Sequence, residues 1–378
     1  MASTGINWGN ITVNNDGPVK FSDYVSLLSL EAADFGQFHT FNPNTHSGDK
    51  LDGIGQFAEV GLAGGTSCTP TFNSSQAASV EKTWALGEWE VAEKICYKDL
   101  DTTAARYGLN AGTDIADITG TLIEKILSPK ISDSLKRMYW RLAWFGDTAA
   151  ANISGGGVIT AGKNANLFTT CDGFFKKLNA LIISDPLRNT DIAANAQATY
   201  ALQNSAFTNG IDVLDAMIYS APLKLRNAAG ELVLPANVKP TDDGVTSKMV
   251  PGAFILCTQS VADAYEKQLT GTGTIYTQIQ WETGMFGMKK FQRKGVDIYP
   301  IPLWDAYIQD YENNGTKWNN PHRAVFTTIG NLNVAAPNDT LISDLKVWFS
   351  NDDQDTKMLA RDKFGVLILD DTLFQYAI

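Results

Sequence analysis

Histidine and cysteine are scarce in this chain: 3 and 4 residues in 378. His39, His46 and His322 lie in polar, loop-like contexts with no ligand spacing, and Cys68, Cys96, Cys171 and Cys257 form no CxxC pair. A zinc site or a redox dithiol therefore has no sequence support, and free thiols in a reducing compartment are expected. No run of eighteen apolar residues occurs, so no spanning helix is expected, and the start MASTGINWGN lacks the basic and apolar regions of a secretory signal. No GxSxG elbow is present, and scattered Asp and Glu cannot be called catalytic from spacing. No catalytic, cofactor-binding or metal-binding residue is predicted, and the protein is expected not to be an enzyme. The net charge of -11, with no basic run longer than Lys289, Lys290, Arg293 and Lys294, leaves no electrostatic footprint for nucleic acid. A container wall must likewise not adhere to an enclosed polyanion, so the charge permits a role near nucleic acid without arguing for one.

One near-motif needs weighing. Gly157 to Asn164 (GVITAGKN) matches the glycine and lysine positions of a P-loop, but Asn164 replaces the magnesium-binding hydroxyl and no buried strand precedes it. A surface loop is expected. Asn351 to Asp355 is acidic enough to suggest a calcium loop, but it lacks the glycine and terminal glutamate that such a loop needs, so a hairpin turn is expected.

What is present is an ordinary globular composition, 44% hydrophobic and 19% charged, with one unusual stretch. From Val80 to Leu100 apolar and polar residues alternate over roughly twenty positions, against the five or six of a common strand. Trp84 and Leu86 share one face; Gly87 and Glu88 break the phase, which suggests a β-bulge, and Trp89, Val91, Ile95 and Tyr97 resume it. With Lys50 to Leu62 and the loop-like Gly64 to Pro70, this reads as a long hairpin. Its apolar face needs cover, either from its own domain or from a neighbouring subunit. In the second case Trp84, Leu86, Trp89, Val91 and Ile95 form a subunit interface, Gly64 and Gly65 let the arm bend, and Trp89→Ala impairs assembly more than folding.

Helical spacing predicts helices at Phe21 to Phe35, at Thr113 to Leu127, and from a Ser128 cap and Pro129 to Phe145, with Ile131, Leu135, Met138, Leu142 and Phe145 in the stripe. Further helices are expected within Leu167 to Leu181, Ala193 to Tyr219 and Thr258 to Leu269. Strands are expected at Ala253 to Cys257, Gly284 to Phe291, Val296 to Ile301, Arg323 to Thr328, Asp344 to Phe349 and Lys357 to Leu369, with a loop over Trp304 to Asn320.

This order of arm, hairpin, long helix, α/β region and return strands resembles the major capsid proteins of tailed bacteriophages with the Hong Kong 97 (HK97) fold. Met249 to Leu269, Gly295 to Ile308 and His322 to Ala335 are similar to segments of capsid proteins from phages infecting Bacteroidota. The resemblance implies an α+β fold and a division into five parts: an arm (1–47), an extended hairpin (48–100), a peripheral part with a long spine helix (101–167), an axial part (168–320) and strands returning to the peripheral part (321–378). It implies a shell of pentamers and hexamers around double-stranded DNA, located in the virion and assembled in the host cytoplasm. The implied partners are further copies of the chain, a portal protein, a separate scaffolding protein and optionally a decoration protein, with no membrane and no cofactor. No lysine to asparagine crosslink is expected, because Lys50, Lys82 and Lys94 cannot be aligned with the lysine that one relative uses. An encapsulin-type compartment shares the fold and is the alternative; a soluble α/β enzyme is the alternative from another class.

Overall fold

The computed structural model describes residues 35–57, 77–96, 122–228, 252–271, 281–283, 289–339, 346–350 and 355–378. The strands are β1 (Thr40–Asn42), β2 (Lys50–Phe57), β3 (Ala77–Thr83), β4 (Gly87–Cys96), β5 (Asn189–Thr190), β6 (Ala253–Cys257), β7 (Glu282–Thr283), β8 (Lys289–Arg293), β9 (Val296–Pro300), β10 (Ala324–Thr328), β11 (Leu332–Ala335), β12 (Lys346–Ser350), β13 (Asp355–Ile368) and β14 (Gln375–Ala377). The helices are α1 (Leu122–Phe145), α2 (Phe174–Ser184), α3 (Tyr200–Ala206), α4 (Gly210–Ser220), α5 (Leu223–Ala228), α6 (Gln259–Gly271) and α7 (Pro302–Tyr311).

Two sheets organise them. The fourteen-residue β13 is the axis of the first: its N-terminal part lies between β12 and β4, and its last residues pair with β11, which pairs with β1. The second has the order β5-β14-β10-β6-β9-β8-β7. The unbroken apolar run of β6 is explained by cover on both faces, since Phe254 and Leu256 enter one core while Ala253, Ile255 and Cys257 enter another. The first core is built around the C-terminal half of α1, where Trp140 and Trp144 are fully buried and Trp144 meets Trp304 of α7 at 4.5 Å between ring centroids. Aromatic rings supply much of this core because each buries a large apolar area. The second core is formed by α4 and α6 against the opposite face of the sheet.

Several expectations are corrected here. The residues from Leu122 to Phe145 form one helix that passes through Ser128 and Pro129; the missing proline N–H, worth about 3 kcal/mol, is outweighed by a 24-residue helix packed along its second half. Trp304 to Asn320 is not all loop: Pro302 occupies the first turn of α7, and Leu303, Trp304, Tyr307 and Ile308 make its buried stripe. Ala193 to Tyr219 is three elements, a 3-10 turn, α3 and α4, because Thr199 caps α3 through its hydroxyl and Asn209 and Gly210 open α4. Of the expected return strands, β11, β12 and β13 are in the five-stranded sheet, whereas β10 and β14 belong to the seven-stranded one. Residues 21–34 of the expected helix and residues 113–121 lie outside the described residues, as does most of the Asn351 to Asp355 turn.

His39 and His322 lie outside helices and strands, as expected, but both are buried in the core. The Nε2 of His39 accepts from the Trp144 indole at 3.0 Å, so Nδ1 carries the proton and donates to the Phe35 carbonyl at 2.8 Å. His322 accepts from Ser260 at Nδ1, donates to the Gln203 carbonyl from Nε2, and stacks on Phe207. Burial lowers both to a pKa of about 4, while burial raises Asp305, which receives the Gln259 and Ser260 N–H groups at the start of α6, to about 7. Each lowered histidine favours the fold above the unfolded value of 6.5 and withdraws on the order of 3 kcal/mol as pH falls towards 4. Asp305 acts in the opposite direction, returning on the order of 4 kcal/mol as pH falls from 7 to its unfolded 3.8. The two histidines together exceed it, so the urea midpoint should drop between pH 6.5 and 4, and His322→Gln should flatten the slope. A midpoint independent of pH across that window in the parent chain contradicts the burial of neutral imidazoles.

Candidate subunit interface

The hairpin is rooted before it can reach anything. A turn at His46 to Asp49, with Gly48 at φ 98°, is closed by the Asp49 N–H donating to the His46 carbonyl. From it the Gly48 N–H donates to the Trp84 carbonyl and the Trp84 N–H to the Asp49 carbonyl, both at 2.9 Å. The Ser47 hydroxyl accepts from the Leu86 N–H at 2.9 Å. Among the described residues β2 and β3 then pair only with each other, with a register shift between Ile54 and Phe57. Lys82 forms an ion pair with Asp371, tying the hairpin to the turn before β14.

The long alternating stretch is thus two strands in two sheets. β3 ends at Thr83, Trp84 to Leu86 cross over, and β4 runs antiparallel to β13 from Gly87↔Phe364 to Cys96↔Asp355. Gly87 marks this crossover, where no bulge forms. A Cβ there would collide with the Thr170 carbonyl, and one on Gly365 would crowd the Ala85 carbonyl. Gly87→Val should therefore cost the subunit more than about 2 kcal/mol, read as a fall in thermal midpoint. An unchanged midpoint means the two backbones do not pass this closely.

The predicted interface residues separate into three groups. Trp84 is 3% exposed, packed with Ala335 and Leu367 and with Leu51, Leu86 and Leu369 around them. Trp89 is 6% exposed, its ring edge-on to Tyr139 of α1 at 5.8 Å. Both indoles are covered by their own chain, which corrects the expectation that a neighbour covers them: β4 joins the five-stranded sheet, and its inner face meets α1. Leu86 and Val91 are half-buried at the edge of these clusters. Ile95 pairs with Thr356 in the β4–β13 ladder, and Gly64 and Gly65 lie outside the described residues. The outer face of the ladder carries Glu90–Arg361 at 3.0 Å and Glu88–Lys363 at 3.7 Å, exposed pairs worth less than about 1 kcal/mol each. Beside it an open cavity of about 610 Å³ is lined by Trp89, Asp362, His46 and Pro337 among others.

The P-loop-like segment is a surface loop. Its backbone bridges Asn152 to Ile159, Asn152 donates to the Thr160 and Lys163 carbonyls, and the Lys163 ammonium lies over the Tyr311 ring at 5.3 Å. The glycines open no α-helix, only a 3-10 turn at Ala165–Leu167. Among the described residues no group of three His, Cys, Asp or Glu is placed to hold a metal ion, and no helix is long and apolar enough to cross a membrane.

No protein-family model matches the chain, and no curated protein does. Solved structures do match in shape. A chain of Gordonia phage Cozz is 10% identical, with 96% of this chain and 91% of that one covered and a TM-score of 0.51. The capsid of a native GTA particle is 12% identical over 95% and 94%, with a TM-score of 0.49, and the capsid of the cyanophage P-SCSP1u is 13% identical over 97% and 96%, also at 0.49. The first of these carries the comparison, and at such identities it is a likeness of fold. The chain has a mixed α+β fold that it shares with the Gordonia phage Cozz chain over nearly the whole length of both.

Proposed function

We propose that this chain is a shell-forming protein, the major capsid protein of a tailed phage, which assembles into pentamers and hexamers enclosing a double-stranded DNA genome. The observation that carries this reading is the likeness to the Gordonia phage Cozz chain over nearly the whole length of both. It is supported by a hairpin held at its root by paired hydrogen bonds and an ion pair, a rigid base from which β2 and β3 reach a neighbour. In this reading Leu86 at that base and Val91 and Ile95 farther along β4 belong to the contact, and Gly64 and Gly65 adapt the arm to local curvature. The segments Met249 to Leu269 and His322 to Ala335 support a place among capsid proteins of phages infecting Bacteroidota. Assembly in the host cytoplasm, with a portal, a separate scaffold and optionally a decoration protein, belongs to the same reading, as does the division into arm, hairpin, peripheral and axial parts. The net charge of -11 suits a wall that must not bind the DNA it holds.

The test is sedimentation and negative-stain electron microscopy of the chain expressed alone and with its neighbouring genes. Closed shells or capsomer rings with nucleic acid inside are expected. Shells that carry an enzyme cargo would make it a compartment of the encapsulin type, and a persistent folded monomer under all conditions would refute shell formation.

A further inference from the structure

Four of the most exposed large apolar side chains among the described residues fall in two pairs. Ile183, in the last turn of α2, and Leu187, in the 3-10 turn Pro186–Arg188 leading into β5, are 82% and 77% exposed. Tyr219, in the last turn of α4, and Leu223, at the start of α5, are 58% and 67% exposed. A single exposed leucine is ordinary, but neighbouring pairs presented by helical elements mark surfaces awaiting cover.

The two surfaces differ in charge. Around the first stand Asp185, which also pairs with Arg188 at 3.3 Å, and the exposed Asp191. Around the second stand cations: Lys224 is exposed, the Lys294 ammonium lies 3.4 Å from the Tyr219 ring centroid, and the Arg226 guanidinium lies 5.7 Å from it. Asp215 engages Arg293 and Lys294 there and offsets part of that charge.

The surfaces are also apart. Leu187 precedes the edge strand β5, while the β8–β9 turn that carries Lys294 and meets Tyr219 lies four strand spacings along the same sheet, about 19 Å. One copy therefore does not satisfy both with itself. We propose that the Ile183–Leu187 surface of one subunit docks on the Tyr219–Leu223 surface of a second copy of this chain, with Asp191 facing Lys224. Two unlike, complementary patches on one chain give a head-to-tail contact, the kind that closes into rings. This pairing rests on the shell reading above and names the surfaces that would join neighbours.

The test follows assembly by sedimentation and electron microscopy under conditions in which the parent chain forms rings or shells. Ile183→Ser with Leu187→Ser, and separately Leu223→Ser, should each lower the assembled fraction at least tenfold while circular dichroism and the monomer thermal midpoint stay unchanged, since these side chains are exposed. Asp191→Lys and Lys224→Asp should each impair assembly alone, and the double reversal in one chain should restore it. Apolar variants that assemble as well as the parent overturn the pairing and leave the shell reading standing. A double reversal that fails to restore assembly overturns the proposed register. A parent chain that never assembles refutes the shell reading, and this contact with it.

Discussion

Trp89→Ala should destabilise the isolated subunit by about 3–5 kcal/mol, the range for truncating a fully packed aromatic side chain. The ring is 6% exposed, edge-on to Tyr139 of the long helix, in the strand that pairs with β13 through ten residues. Removing it leaves a void between sheet and helix that neither can close, because both are held by their own hydrogen bonds. Chemical denaturation of the monomer measures the loss directly. Assembly should fall as a consequence, in proportion to the unfolded fraction. A variant whose monomer keeps its stability but fails to assemble would return the indole to an interface.

Arg323→Ala should be comparably costly, about 3–5 kcal/mol, because it strands a buried carboxylate. Arg323 and Glu312 are 4% and 7% exposed and form an ion pair. The guanidinium also donates to the Asn319 and Asn320 carbonyls at 2.8 Å and lies over Phe175 and Phe145, at 4.8 and 5.4 Å from their centroids. One side chain thus joins the entry of β10, the loop after α7 and the aromatic core. Replacing both partners by apolar residues, Arg323→Met with Glu312→Leu, should recover much of the loss, since the desolvation of both charges is then avoided. An unfolding free energy for Arg323→Ala from urea denaturation within about 1 kcal/mol of the parent would mean that Glu312 finds water or another partner.

Local patterns made some elements readable. The run AFILC, bracketed by Gly252 and Thr258, reads as a short apolar strand followed by a helix, and both occur. Leu135, Met138, Leu142 and Phe145 recur at helical spacing and are buried on α1. The loop from Gly157 to Asn164 was also readable, since its missing hydroxyl ruled it out as a nucleotide site and its backbone closes on itself. Where a segment's surroundings decide its form, the pattern misled. Trp304 to Asn320 has no clear helical signal, yet Pro302 starts α7 and Asp305 holds the first turn of α6. His39 and His322 lie in loop segments as their contexts suggest, but their burial was not readable, because burial of a polar ring depends on partners distant in sequence, such as Trp144 for His39 and Gln203 for His322.

The long alternating stretch shows the division most clearly. Period-two alternation is a property of adjacent residues, so the sequence alone determined that Val80 to Cys96 is extended, that Trp84 and Trp89 point to apolar surroundings, and that something changes at Gly87. It could not determine which strand each half pairs with, because the partners, Lys50 to Thr83 on one side and Phe364 to Gly87 on the other, are brought together by chain closure over long separations. Only the tertiary structure decided that β3 stays with β2 while β4 joins β13, and therefore that the indoles are covered within the subunit. Among the described residues, the surfaces proposed for another copy are ones whose large apolar side chains stay exposed.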